Sequence, residues 1–106
     1  MNLSVTIPPV RTFAGVEPNK AQALKPLEEA AEVFAAWQAW DRYHGAHAVY
    51  DGPRAESAKA MKACIVDECC DVITATCNLL AALGVDDLTE AMAECEERNR
   101  KRGRYE

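Results

Sequence analysis

Between Met61 and Gly84 the apolar residues fall at Met61, Ile65, Val72, Ala75, Leu79 and Ala82. A step of about 3.6 residues predicts a helix with one stripe turned to a core. Between Ile65 and Val72 that stripe lands on Glu68, and Asp71 follows one turn on. A bare carboxylate on a core-facing seam is costly unless a proton, an Arg or Lys, or a metal ion neutralises it. A second acidic group opens the apolar segment LEEAAEVFAAWQAW, where Glu29 and Glu32 repeat the i, i+3 spacing with Glu28 beside them. From Val33 to Trp40 only Gln38 is polar. A helix apolar on nearly every side must be surrounded, so a chain this short is expected to cover it with another subunit.

The other elements follow from capping and turn residues. Residues 1–18 carry Pro8, Pro9 and Pro18 and no helical period, which predicts an extended arm packing through Val5, Ile7, Val10 and Phe13. Asn19 can cap a helix. Because an internal proline costs about 3 kcal/mol, Pro26 is expected to divide a short turn from a main helix running from Leu27 to Tyr43. Trp37 and Trp40, one turn apart, read as core or subunit-contact anchors, with a pocket wall that stacks on a nucleobase as the alternative. His44 and His47 are expected to finish this helix. Asp51-Gly52-Pro53 signals a turn, and the next helix is expected from Ser57 to Gly84, a C′ glycine. Asp86 or Asp87 then caps a third helix from Leu88 to Arg98, with Leu88, Met92 (or Ala91) and Cys95 inward. The expected fold is all-α: an arm at 1–18 and a helical bundle at 19–106, completed as a homodimer or homotetramer.

Composition narrows the function. The 106 residues suit one domain, and a net charge of −5 argues against stable nucleic-acid binding or an anionic membrane surface. No apolar run reaches the roughly 20 residues of a membrane span, and MNLSVTIPPV has no signal-peptide pattern, so a cytoplasmic protein is expected. Cys64, Cys69, Cys70, Cys77 and Cys95 include no CxxC pair. They are expected to be buried apolar side chains in a reducing compartment, not zinc ligands.

Glu29 with Glu32 and Glu68 with Asp71 each place two carboxylates on one helix face. Brought together, they offer four oxygen ligands, a set suited to Mg²⁺ or Mn²⁺. Neither pair has the Glu-x-x-His of di-iron bundles. Because Mg²⁺ usually completes its shell with substrate phosphate oxygens, a polyphosphate substrate is expected.

Those residues also carry a resemblance. EEAAE at 28–32 matches EExxE, ECCD at 68–71 matches ExxD, and the run from Asp71 through Asn78 and Leu79 to Leu83-Gly84-Val85-Asp86 is similar to the corresponding MazG segment. Over roughly residues 25–105 the chain resembles the all-α nucleoside triphosphate pyrophosphohydrolases, which include MazG, its phage-type relatives and the dimeric dUTPases. The 35 residues between Glu32 and Glu68 are a wide gap for that pattern, and the cysteines fall outside it. The resemblance implies Mg²⁺-dependent hydrolysis of a nucleoside triphosphate between the α- and β-phosphates, with nucleotide-pool house-cleaning as the role. Glu29, Glu32, Glu68 and Asp71 would hold the metal, and Glu28 would activate water. Lys25, Asn78, Asn99, Lys101 and Arg102 would contact substrate. Two alternatives remain: a non-catalytic helical module binding a nucleotide or partner, and a metal-dependent phosphohydrolase acting on another polyphosphate.

Overall fold

The computed structural model describes residues 3–42 and 52–106, with side chains in the second segment from Ser57 onward. The described chain is all-helical, in the order α1 (Lys20–Trp40), α2 (Gly52–Ala82) and α3 (Thr89–Lys101). His44, His47 and Asp51 lie outside the described residues. No described helix is long and apolar enough to cross a membrane.

α1 starts where its cap allows. Asn19 is extended (φ −119°, ψ 174°), and its Oδ1 accepts from the Gln22 N–H at 2.9 Å. The helix does not break at Pro26, contrary to the expectation from local cost. Gln22, Pro26, Glu29, Val33, Ala36 and Trp40 form its half-covered stripe, stepping by four and three. Pro26 therefore lies within the face that packs on α2, and the register continues on both sides of it. Tertiary packing outweighs the lost backbone hydrogen bond, which leaves an expected gain. If the ring fills no essential space, Pro26→Ala should stabilise the protein by about 1–3 kcal/mol in urea unfolding. A loss of stability would assign the ring a packing role instead.

α2 is longer than its apolar period indicates, beginning at Gly52 and not near Ser57. Gly52-Pro53 reads locally as a turn, but a proline is also at home in a first helical turn, where its missing N–H costs nothing. The other end matches expectation. The Val85 N–H donates to Leu80 O at 2.8 Å and the Gly84 N–H to Ala81 O at 2.9 Å, with Gly84 at φ +79°. This is the paired closure of a helix by a left-handed C′ residue. An added Cβ would meet nothing within 4 Å, so the only penalty is conformational. Gly84→Ala should cost about 1 kcal/mol of unfolding free energy, with Gly84→Asn costing less.

α3 starts one residue later and ends three later than expected. Asp87 Oδ1 accepts from the Thr89 N–H at 2.8 Å, so this Asp serves the helix entry although Leu88 occupies the cap position. Leu88 and Cys95 are partly covered as expected, but Met92 is 58% exposed.

α1 packs on α2 along its length, whereas α3 makes only slight contact with the other two helices. Asn19 and Gln22 lie beside Asn78, and Glu29 beside Glu68 and Asp71, so the two long helices run antiparallel. The covered positions of α2 are those of the predicted stripe: Met61, Ile65, Glu68, Val72, Leu79 and Ala82 are half-buried and Ala75 is buried. Among the described residues only Ala75 and Asn78 are fully buried. Two expectations of burial therefore fail within one chain. Val5, Ile7 and Phe13 of the arm are exposed, with only Val10 and Val16 partly covered. All five cysteines are free; Cys64, Cys69 and Cys70 are exposed, and Cys77 and Cys95 are half-buried.

A candidate metal centre between two helices

The seam that carries Glu68 turns it toward α1, and the α1 stripe returns Glu29 to the same gap. One carboxylate oxygen from each of Glu29, Glu68 and Asp71 lies within 4.8 Å of the others. Three like charges this close repel, and partial burial strengthens the effect. Glu68 shows it: desolvation first, then the Asp71, Glu32 and Glu29 charges, hold its carboxyl above the usual carboxylate range. Such a group takes up a proton readily, and the same electrostatics would favour a cation beside it.

The remaining acids divide between this centre and its rim. Glu32 contributes to the field on Glu68 but is exposed and stands outside the 4.8 Å trio. Glu28, 63% exposed at its side chain, pairs with Lys25 at 3.6 Å. Lys25 Nζ also reaches Glu29 Oε1 at 3.3 Å, and that hydrogen bond and charge keep its ammonium above the usual lysine range. One lysine thus neutralises the edge of the cluster, and no described ion pair reaches Glu68 or Asp71. The donor set is all oxygen, comes from two rigid helices and is short of positive charge. Ligand oxygens on one Mg²⁺ lie about 3–4 Å apart. Small side-chain rotations would bring the trio to that spacing, so these residues fit a hard divalent cation.

A cleft of about 450 Å³ opens beside the cluster. Glu29 and Asp71 form its acidic side, Thr74, Ala75 and Asn78 its α2 wall, and Asn19, Gln22 and Lys25 its α1 wall. Phe13 of the arm closes another side. Asn78 is 3% exposed, and its Oδ1 accepts from the Phe13 N–H at 2.9 Å across 65 residues of sequence. The expected site residues Lys25 and Asn78 therefore line the cleft. Glu28, Glu32 and Glu68 do not line it, although Glu68 belongs to the adjoining cluster.

Asn99, Lys101 and Arg102 do not line this cleft. Asn99 lies on α3 with its Nδ2 donating to Cys95 Sγ at 3.8 Å, and Lys101 and Arg102 are exposed at the end of that helix. Neither tryptophan lines the cleft. Trp37 instead stacks on Phe34, with ring centroids 6.0 Å apart and planes 13° from parallel. Phe13 is the cleft residue that sequence reasoning placed only as arm packing. Its partnership with Asn78 joins distant parts of the chain and leaves no local periodicity to find. Compared with family models, with curated proteins and with solved structures, the chain matches none.

Proposed function

We propose that the protein is a Mg²⁺-dependent nucleoside triphosphate pyrophosphohydrolase of the MazG-like type, cleaving between the α- and β-phosphates to a nucleoside monophosphate and pyrophosphate. The observation that carries this reading is the convergence of Glu29, Glu68 and Asp71 within 4.8 Å at the edge of a cleft, with Glu68 starved of positive charge. These three, with Glu32 beside them, are the residues to hold Mg²⁺, or Mn²⁺ in its place. A divalent ion held by these carboxylates would offset negative charge developing on a phosphate substrate. Lys25 steadies the Glu29 carboxylate and adds one positive charge at the cleft wall. Glu28, outside the cluster and held beside Lys25, is the carboxylate we assign to proton removal from the attacking water. Nucleotide-pool house-cleaning in the cytoplasm is the corresponding role.

The test is a panel of ribo- and deoxyribonucleoside triphosphates with Mg²⁺, scored separately for pyrophosphate and orthophosphate. Pyrophosphate with a monophosphate product is expected. Orthophosphate as the first product would move the cut to another bond, and no release from any nucleotide would remove the assignment. Glu28→Gln separates base from ligand: activity should fall about 10²–10⁴-fold while Mg²⁺ binding is kept.

We also propose that two or more copies associate. A chain of 11.6 kDa has a surface of 8685 Å², against roughly 5,800 Å² expected for a compact monomer of that mass. The excess is several times the roughly 800 Å² each partner hides in a standard-size interface, and it suits obligate association.

A further inference from the structure

We infer that Phe13 and Asn78 form the base subsite of the cleft, Phe13 as the flat surface on which a nucleobase stacks and Asn78 Nδ2 as the donor to an acceptor atom on its edge. This rests on the nucleotide reading above and names the half of the substrate that the carboxylates do not address. Both residues line the cleft that Glu29 and Asp71 border, so one molecule can span an anionic end and a planar end.

The hydrogen bond to the arm decides which way the Asn78 amide faces. A backbone N–H can be met only by an acceptor, so the oxygen must face Phe13 and the NH₂ must point away from it. Asn78 is buried, and among the described residues its Nδ2 has no hydrogen-bond partner. A buried donor in a cleft wall is one that a ligand is suited to satisfy. Phe13 shows the complementary imbalance. Its backbone is fixed by Asn78, yet its ring is 66% exposed. Immobilising an aromatic while leaving it open to water has no packing benefit in the single chain, but it preorganises a stacking surface. The turn at Ala14-Gly15, with Gly15 at φ +73°, lies between this residue and the start of α1, so the arm passes the cleft before the helix begins.

The side chain can be removed without cutting the tether, because Phe13 donates through its backbone. Calorimetry with Mg²⁺ on the full chain would compare a non-hydrolysable α,β-methylene nucleoside triphosphate with inorganic tripolyphosphate, which has no base. Wild type should bind the nucleotide more tightly. Phe13→Ala should weaken nucleotide binding about tenfold or more, leave tripolyphosphate binding unchanged, and be rescued by Phe13→Trp. Nucleotide affinity unchanged in Phe13→Ala would overturn the subsite, and so would a wild type that binds the two ligands equally; both results leave the phosphate chemistry standing. A wild type that binds neither ligand would instead overturn the nucleotide reading, and the subsite with it. Asn78→Asp replaces the donor edge with an acceptor and should lose nucleotide binding while keeping tripolyphosphate. The remaining oxygen still accepts from the Phe13 N–H, so the tether is kept, and nucleotide binding undiminished in that variant would overturn the role assigned to Nδ2.

Discussion

Glu68→Gln should lower nucleotide hydrolysis by about 10²–10³-fold and abolish the stabilisation that Mg²⁺ confers on the wild-type protein. The amide keeps the shape of the side chain and removes the charge that draws the cation. In the wild type, Mg²⁺ at about 100 times its dissociation constant should add roughly 2.7 kcal/mol, a rise in Tm on the order of 10 °C for a domain of this size. Without Mg²⁺ the order reverses: Glu68→Gln and Glu68→Ala should both be more stable than wild type. Each removes a charge that burial and the Asp71, Glu32 and Glu29 carboxylates disfavour. A residue used only for packing would give the metal-free gain with no Mg²⁺ response to lose. Thermal unfolding of the three proteins with and without the ion distinguishes these outcomes. If wild type itself does not respond to Mg²⁺ or Mn²⁺, the metal centre is refuted.

The same residue sets a pH dependence whose sign can be worked out. Glu68 binds its proton more tightly in the folded chain than in the unfolded one. Its contribution to stability is therefore fully present below the unfolded carboxylate pKa and is lost as pH rises through the raised folded value. In metal-free protein this contribution should grow as pH falls from neutral toward that range, and the pH profile of Glu68→Gln should lack it. Mg²⁺ competes with the proton for the same oxygens, so its stabilising effect should be largest at neutral pH and shrink as the solution is acidified. Asp87 has the opposite sign, because the Thr89 hydrogen bonds hold its carboxyl below the usual range. Its contribution is present above the unfolded pKa and is lost at more acid pH.

The parts of this arrangement that were legible in the sequence are those written in local spacing. Glu68 was visible because it interrupts a 3.6-residue stripe that the structure does turn toward α1. Asn19 and Gly84 were visible because a cap side chain and a left-handed glycine each satisfy backbone groups within a few residues of themselves. Pro26 was misplaced because its local cost is real but smaller than what the α1–α2 contact supplies across it. The start of α2 was misplaced because glycine followed by proline suits both a turn and a first helical turn. Within the acidic motif, spacing put Glu32 and Asp71 on equal terms, yet the packing of two antiparallel helices brings Asp71 into the trio and leaves Glu32 beside it. The Phe13–Asn78 link lay beyond any such reading, since it depends on where the arm crosses the hairpin.

Trp37→Glu should convert an associated protein into a monomer that unfolds at lower denaturant. Leu27 at 69% exposure and Phe34 at 57% lie on the side of α1 turned away from α2, and Trp37 at 44% continues that surface to the edge of the stripe that meets α2. Phe34 and Trp37 are already stacked on one another, which presents a flat, preordered apolar surface. Large apolar side chains left open on one helix suit an interaction face. The occupant we assign is a second copy, because the chain has far more surface than a compact monomer needs to expose and its own α3 makes only slight contact with the long helices. A charge placed at the centre of such a contact would be buried without a partner, and central aromatic anchors contribute about 2 kcal/mol or more. Association should therefore weaken by about 30-fold or more. Sedimentation across a concentration series is the measurement, with Lys62→Ala, at an exposed polar position of α2, as the control. In an obligate assembly the wild-type Tm rises with protein concentration, and in Trp37→Glu that dependence should disappear. A wild type that sediments as a single 11.6 kDa species with a concentration-independent Tm would show that this face needs no copy of itself.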